Sequence, residues 1–163
     1  MRQRAVVLVS GGLDSAVAAA IAREEGHDTY WLTLAYRQRH AVEIDRARAL
    51  ATALGAAQHL VVDVDLRAVG GSALTGDLAV PKQRSDAERG TGIPVTYVPG
   101  RNLIFLSIAA AHAEVVGAAV IYFGANVLDY SGYPDCREEF IRAFEGAARE
   151  IASGGEVEFL VQG

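Results

Sequence analysis

The stretch AVVLVSGGLDSAVAAAIA, residues 5–22, limits the chain's possible folds more than any other. Residues 5–10 are short, apolar and β-branched, and so read as a buried strand. Two glycines follow at once, and a helical pattern rich in alanine then runs from residue 14 to Gly26. A strand that turns straight into a helix brings several backbone N–H groups to one point. The first helical turn has no internal acceptors for its donors, and its dipole favours an anion. Gly11 and Gly12 permit unusual dihedrals and the close approach of a ligand. A plain structural turn and a phosphate cradle are both open at this point.

Downstream, strand and helix patterns keep alternating. Residues 28–36 and 58–64 read as strands, and residues 41–55 read as a helix with Val42, Ile44, Ala49, Leu50 and Leu54 on its apolar side. A helix is expected from about residue 102 to 116 and a strand over 118–126. The amphipathic helix expected over 137–152 carries Phe140, Ile141, Phe144 and Ile151, and a last strand is expected near the end. Alternation of this kind predicts the α/β class, a doubly wound parallel sheet of about five strands. The 163 residues are read as one domain, in which residues 70–94, rich in glycine and charge, form a lid-like insertion.

A formal net charge of −5 argues against a protein built to grip a nucleic-acid backbone. The single cysteine, Cys136, allows no internal disulfide, which fits a reducing cytoplasm. With no second cysteine it reads as a small buried residue rather than a metal ligand. No stretch approaches the ~20 apolar residues that span a bilayer.

The loop lacks the Gly-Lys-Ser/Thr ending of a P-loop and the G-x-G-x-x-G of a dinucleotide site. Its pattern, Ser-Gly-Gly-Xaa-Asp-Ser after the first strand, is similar to the signature of the ATP pyrophosphatase superfamily. Later segments narrow this. The stretches AYRQRHAVEIDRARALATALGA, SALTGDLAVP, GIPVTYVPGRNLIFLSIAAAHA and FGANVLDYSGYPDCREEFIRAF follow in order. Together they resemble the 7-cyano-7-deazaguanine synthases of queuosine biosynthesis, over residues 4 to about 159. The resemblance implies an ATP-dependent ligase. It activates 7-carboxy-7-deazaguanine by transfer of AMP, lets ammonia attack, then activates and dehydrates the amide to the nitrile. Another adenylated substrate, or a nucleotide-binding module without catalysis, is the alternative.

Within that reading Ser10, Gly11, Gly12, Leu13, Asp14 and Ser15 form the ATP loop, joined by Arg101 and Asn102 from PGRN. Asp14 either shapes the loop or helps to place magnesium. Asp14, Arg101 and His40 are the candidate catalytic residues. His40 stands equally as a proton shuttle or as a locally bonded residue at a helix start. Tyr36 and Gln38 end the second strand near the sheet edge where such folds bind ligands. Ser131, Tyr133 and Asp135 are candidates for the deazaguanine rim, its stacking face and its N–H edge; Asp129 and Asp135 are not distinguished. The family pattern usually has glycine where this chain has Arg37.

The resemblance also implies a continuation with four cysteines that bind structural zinc. None of them is in these 163 residues, and no histidine spacing replaces them, so a truncated chain is expected. The partners implied are small molecules, without nucleic acid or membrane, and a homodimer is compatible with the reading. If the loop serves ATP, Asp14→Asn and Ser10→Ala should cut AMP formation at least tenfold while moving the thermal midpoint by no more than about 3 °C, on the order of 1 kcal/mol. Parallel turnover and melting measurements check this, and equal loss of folding would return the loop to a structural turn.

Overall fold

A computed structural model describes residues 2–36, 41–68, 97–124, 133–151 and 158–161. The expected insertion at 70–94 lies outside them. The elements run β1 (Arg4–Leu8), α1 (Leu13–Glu24), β2 (Asp28–Ala35), α2 (Ala41–Leu54), β3 (Gln58–Asp63), a 3-10 turn (Leu66–Ala68), α3 (Arg101–Val116), β4 (Val120–Phe123), a second 3-10 turn (Pro134–Cys136), α4 (Glu138–Ile151) and β5 (Glu158–Val161). The five strands form one sheet in the order β3-β2-β1-β4-β5, and every pairing is parallel.

Strand periodicity sorts the core into two layers. In β1, Val6 and Leu8 face the layer that holds Leu106, Ala109 and Ala113 of α3 and Ile141 and Ala148 of α4. Ala5, Val7 and the following Val9 face the other, with Ala18, Ala19 and Ala22 of α1 and Ala47 and Ala51 of α2. β4 alternates likewise, sending Ile121 and Phe123 to one side and Val120 and Tyr122 to the other. A central strand buried on both faces must be apolar throughout, which is why β1 and β4 read as continuous apolar runs rather than alternating ones. Fully burying one Val or Leu side chain in such a layer contributes about 1.5–3 kcal/mol.

Three expectations shift. The buried side of α2 is Ala47 and Ala51, flanked by partly buried Leu50 and Leu54, while Val42 is 56% exposed. Ala49 is exposed as well. Small residues recurring every three or four positions let α2 lie close to the sheet, and a larger side chain there would hold it away. β4 begins at Val120 rather than 118 and is described to Phe123, while residues 125 and 126 of the expected strand lie outside the described residues. In α4 the packed side ends at Ala148, so Ile151, the helix's last residue, is 69% exposed.

Two histidines are set inside this frame. Burial lowers the pKa of His59, with Arg48 adding to the effect, and burial alone lowers that of His112 in α3. Nε2 of His112 is buried without a hydrogen-bond partner among the described residues. Both imidazoles are therefore favoured neutral in the fold, while the unfolded chain takes up protons around the ordinary value of 6.5. Below that pH the unfolded state binds more protons, so their contribution is present above it and is lost as pH falls through the lowered folded values. The melting temperature is expected to fall between pH 7 and pH 5, and His112→Phe should flatten the slope; thermal melts across that range decide it.

Candidate functional site

In a parallel sheet with helical crossovers, each helix runs back against its strands. The four α-helices among the described residues therefore begin at the carboxyl edge of the sheet. The strand order reverses direction between β1 and β4, since the chain steps outward from β1 to β2 and β3 and then returns to the other flank. That switch point is where open α/β sheets bind ligands. The residues that follow β1 and β4 there are Ser10–Gly12 and Gly124.

The loop after β1 is ordered by its own serines. Ser15, buried at the start of α1, donates its hydroxyl to the Gly12 carbonyl at 3.0 Å and accepts from the Ser10 N–H at 3.2 Å. The Gly12 N–H donates to Ser10 Oγ at 3.3 Å, and the two serine hydroxyls lie 3.2 Å apart. The first backbone bond into α1 runs from Ala16 N–H to the Gly12 carbonyl. The N–H groups of Leu13, Asp14 and Ser15 thus lie ahead of the helical ladder, as an anion site requires. Leu13 is 79% exposed and Asp14 is exposed beside it. Asp14 supplies a carboxylate oxygen of the kind magnesium takes.

Two glycines set the clearance. Gly11 has φ +84°, and a Cβ there would come 2.3 Å from the Glu43 carbonyl oxygen in the first turn of α2. A Cβ on Gly124 would meet the Asp14 backbone at 2.9 Å. The loop is thereby wedged between the start of α2 and the end of β4, and neither position admits a side chain.

A relay supports the loop from beneath. Buried Thr33 in β2 donates its hydroxyl to the Val9 carbonyl at 2.7 Å. With that proton committed, the Thr33 oxygen accepts from His59 Nε2–H at 2.8 Å, which fixes the tautomer of His59. Neither Thr33 nor His59 stands out in the sequence as part of the site. A threonine in a strand and a histidine in the neighbouring one attract no notice until the register sets Trp31 opposite His59 and Thr33 opposite Val61, leaving Thr33 and His59 diagonal neighbours.

The start of α3 holds Arg101 and Asn102. Gly100, in a left-handed conformation at φ 65°, turns the chain into the helix but offers no capping side chain. The cap comes from elsewhere: buried Asp135 accepts the Asn102 N–H through Oδ2 at 2.9 Å. Asn102, only 2% exposed, donates through Nδ2 to the Asp135 carbonyl at 3.0 Å and to Cys136 Sγ at 3.2 Å. Its Oδ1 accepts from Arg101 Nε at 3.2 Å. Cys136 is half-buried rather than buried, and is tied into this group.

Aromatic rings surround the same corner. Tyr97 lies 5.8 Å from Tyr133 and accepts the Gly100 N–H on its hydroxyl at 3.1 Å. Tyr36, at the end of β2, lies 5.3 Å from Phe105. The sequence pattern marks Tyr36 and Tyr133 but misses Tyr97 and Phe105, whose roles come only from proximity. Gln38, His40, Arg37, Asp129 and Ser131 lie outside the described residues. Among the described residues no group of three or more His, Cys, Asp or Glu side chains could hold a metal ion by itself, and no helix is long and apolar enough to cross a membrane.

Gly26 gives a control for the wedge, because it has φ +86° but nothing within 4 Å of where a Cβ would sit. Gly26→Ala should cost only the left-handed backbone, about 1–2 kcal/mol, and keep ATP binding. Gly11→Ala adds the collision with α2, so it should destabilise further and abolish ATP binding. Gly124→Ala should cost about 1–3 kcal/mol by overpacking against Asp14. Urea titration and calorimetric ATP binding on the three variants test the ordering.

Comparisons with known proteins give the fold and the family. The fold is shared with a predicted subunit of tRNA methyltransferase from Methanocaldococcus jannaschii, with a TM-score of 0.57 at 17% identity over 98% of this chain and 67% of that one. The chain is 56% identical over 155 residues to the 7-cyano-7-deazaguanine synthase of Myxococcus xanthus, covering 95% of this chain and 67% of the relative. It is also 56% identical to the synthase of the same name from Kineococcus radiotolerans, covering 95% and 68%. The chain thus spans about two thirds of the length of the curated relatives it matches. The family model for queuosine biosynthesis protein QueC matches residues 4–160, and the chain belongs to that family.

Proposed function

We propose that this chain is an ATP-dependent carbon–nitrogen ligase that converts 7-carboxy-7-deazaguanine and ammonia to 7-cyano-7-deazaguanine in queuosine biosynthesis. The observation that carries the nucleotide half is the serine-ordered loop at the β1–β4 switch point, with unladdered N–H groups of α1 at its mouth. The substrate is supported by family membership and by the names of the curated relatives.

A carboxylate resists attack by ammonia because its own charge repels nucleophiles and oxide is a poor leaving group. In the proposed reaction the substrate carboxylate oxygen attacks the α-phosphorus of ATP, and pyrophosphate departs. The loop Ser10, Gly11, Gly12, Leu13, Asp14 and Ser15 is proposed to receive that pyrophosphate on the N–H groups of Leu13, Asp14 and Ser15 and on the Ser10 hydroxyl. Arg101 is the side chain proposed to offset charge around the α-phosphate. Ammonia then attacks the mixed anhydride, AMP leaves and a proton is released, giving the amide. In the second cycle the amide oxygen is adenylated and pyrophosphate leaves again. Loss of AMP with that oxygen, and of both N–H protons, gives the nitrile. Two ATP are thus consumed per nitrile. His40 is the proposed carrier of these protons.

Magnesium, held through Asp14, would neutralise phosphate charge during these steps. Tyr36 and Tyr133 are proposed to pack on the deazapurine, with Gln38 and Ser131 on its polar rim. Asp135 belongs to the same corner. Zinc belongs, in this reading, to the part of the family's length that these residues do not span. The reading further places the chain in the cytoplasm, as a homodimer working on small molecules without nucleic acid.

The 163-residue chain incubated with magnesium, ATP, ammonia and 7-carboxy-7-deazaguanine should yield two AMP per nitrile. AMP with amide but no nitrile would confine the chain to the first half-reaction. Tight ATP binding with no AMP would favour a non-catalytic nucleotide module, and AMP formed only with some other carboxylate would replace the substrate.

A further inference from the structure

The corner where α3 begins contains more hydrogen bonding than a helix start needs. Its N-cap residue is Gly100, which has no side chain to give, and the missing acceptor is supplied by Asp135, which lies 33 residues beyond Asn102. Asn102 is bonded to that turn twice more, through Nδ2 to the Asp135 carbonyl and to Cys136 Sγ. Asn102 then uses its remaining oxygen to hold Arg101 at Nε. That bond leaves both terminal nitrogens of the guanidinium, and Arg101 makes no ion pair among the described residues. At the other end the Pro134–Cys136 turn begins directly after Tyr133, whose ring lies against Tyr97, and Tyr97 in turn accepts the Gly100 N–H. The contacts run without a break from an arginine at a helix start to a tyrosine on the turn after β4.

We propose that Asn102 and Asp135 are positioning residues, a buried latch that fixes the Arg101 guanidinium and the Tyr133–Cys136 turn as one unit. The proposal rests on the ATP-dependent reading above, in which Arg101 meets phosphate and Tyr133 meets the deazapurine. Adenylation joins those two partners, so the carboxylate must be held in line with the α-phosphorus within a fraction of an ångström. A carboxylate at a helix start also has the sign that the dipole favours, so the latch suits its place electrostatically. Asp135 and Asn102 are both almost fully buried and are joined by two hydrogen bonds, Asn102 N–H to Asp135 Oδ2 and Asn102 Nδ2 to the Asp135 carbonyl. In this assignment they act through Arg101 and Tyr133 rather than by touching either ligand.

The test separates a positioning carboxylate from one that recognises substrate by its charge. Asp135→Asn keeps an acceptor oxygen for the Asn102 N–H, whereas Asp135→Ala removes it. In the full chain, Asp135→Asn should form AMP at least threefold faster than Asp135→Ala. Asp135→Ala and Asn102→Ala should each lower kcat at least tenfold, with KM for 7-carboxy-7-deazaguanine changing less than threefold. An Asp135→Asn variant as impaired as Asp135→Ala, with KM raised, would overturn the latch in favour of direct substrate recognition. A second readout needs no catalysis: Cys136 is the chain's one cysteine, and its rate of reaction with a disulfide reagent reports the Asn102 contact. That rate should rise at least tenfold in Asn102→Ala, stay near the parent in Asp135→Asn, and fall when ATP and magnesium are added to the parent. Equal rates in all the proteins would overturn the proposal. If the parent forms no AMP, the functional reading fails, while the thiol rates still decide the latch.

Discussion

The site depends on a contact that forbids side chains. Gly11 lies so close to the Glu43 carbonyl, and Gly124 so close to the Asp14 backbone, that neither could carry a Cβ without moving a neighbour. Backbone approaching backbone at that distance brings the end of β1, the start of α1, the start of α2 and the end of β4 to one place. A phosphate-binding loop made of N–H groups needs this arrangement, since donors on the main chain reach an anion only where side chains stand aside. The internal bonds of Ser10, Gly12 and Ser15 then hold the loop in one shape before any ligand arrives. Donors fixed in advance cost little reorganisation when charge develops.

The sheet supplies the field. The chain as a whole carries −5, yet its parallel topology sends the positive end of every helix dipole to the carboxyl edge. The edge thereby suits an anion on an acidic protein without the lysine that a P-loop uses. The whole-chain charge and the local potential answer different questions: one bears on partners such as nucleic acid, the other on what the cleft holds. Arg101 adds a charged side chain at one of these helix starts, and Asp135 offsets the dipole there while leaving the arginine itself unpaired among the described residues.

Much of this is legible in the chain, for a reason that differs from element to element. β1 and α1 are readable because a buried parallel strand has to be apolar throughout, and a glycine pair ends it visibly. The order of strands and helices follows from alternation. The face of α2 differs from its expected one because hydrophobicity favours Val42 and Ala49, whereas closeness to the sheet favours Ala47 and Ala51. Volume, not polarity, decides it, and a pattern of apolar letters does not encode volume well. The tight clearance at Gly124 escapes the sequence because the backbone it faces, that of Asp14, lies 110 positions earlier. The cap on α3 is invisible for the same reason. A capping residue is sought beside the helix it caps, and Asp135 is not there.

The trans cap bears on why the site residues sit where they do. A helix start capped by its own neighbour is a local matter, and the turn after β4 could vary without disturbing it. Capping α3 from that turn makes the two segments one object: Asp135 cannot move without releasing the Asn102 N–H, and Asn102 cannot move without releasing Arg101 Nε. Thr33 and His59 do the corresponding work under the loop, tying the Val9 carbonyl to β2 and β3. The site is thus anchored from both flanks by buried polar bonds. Such bonds contribute only about 1 kcal/mol each to stability when satisfied but leave costly orphans when broken. Their effect is to exclude alternative arrangements rather than to deepen the fold. For the proposed reaction, in which a carboxylate and then an amide must each meet the α-phosphorus of a fresh ATP, a single fixed arrangement matters more than the added stability. The same geometry must serve both activations, since the second begins where the first leaves its product.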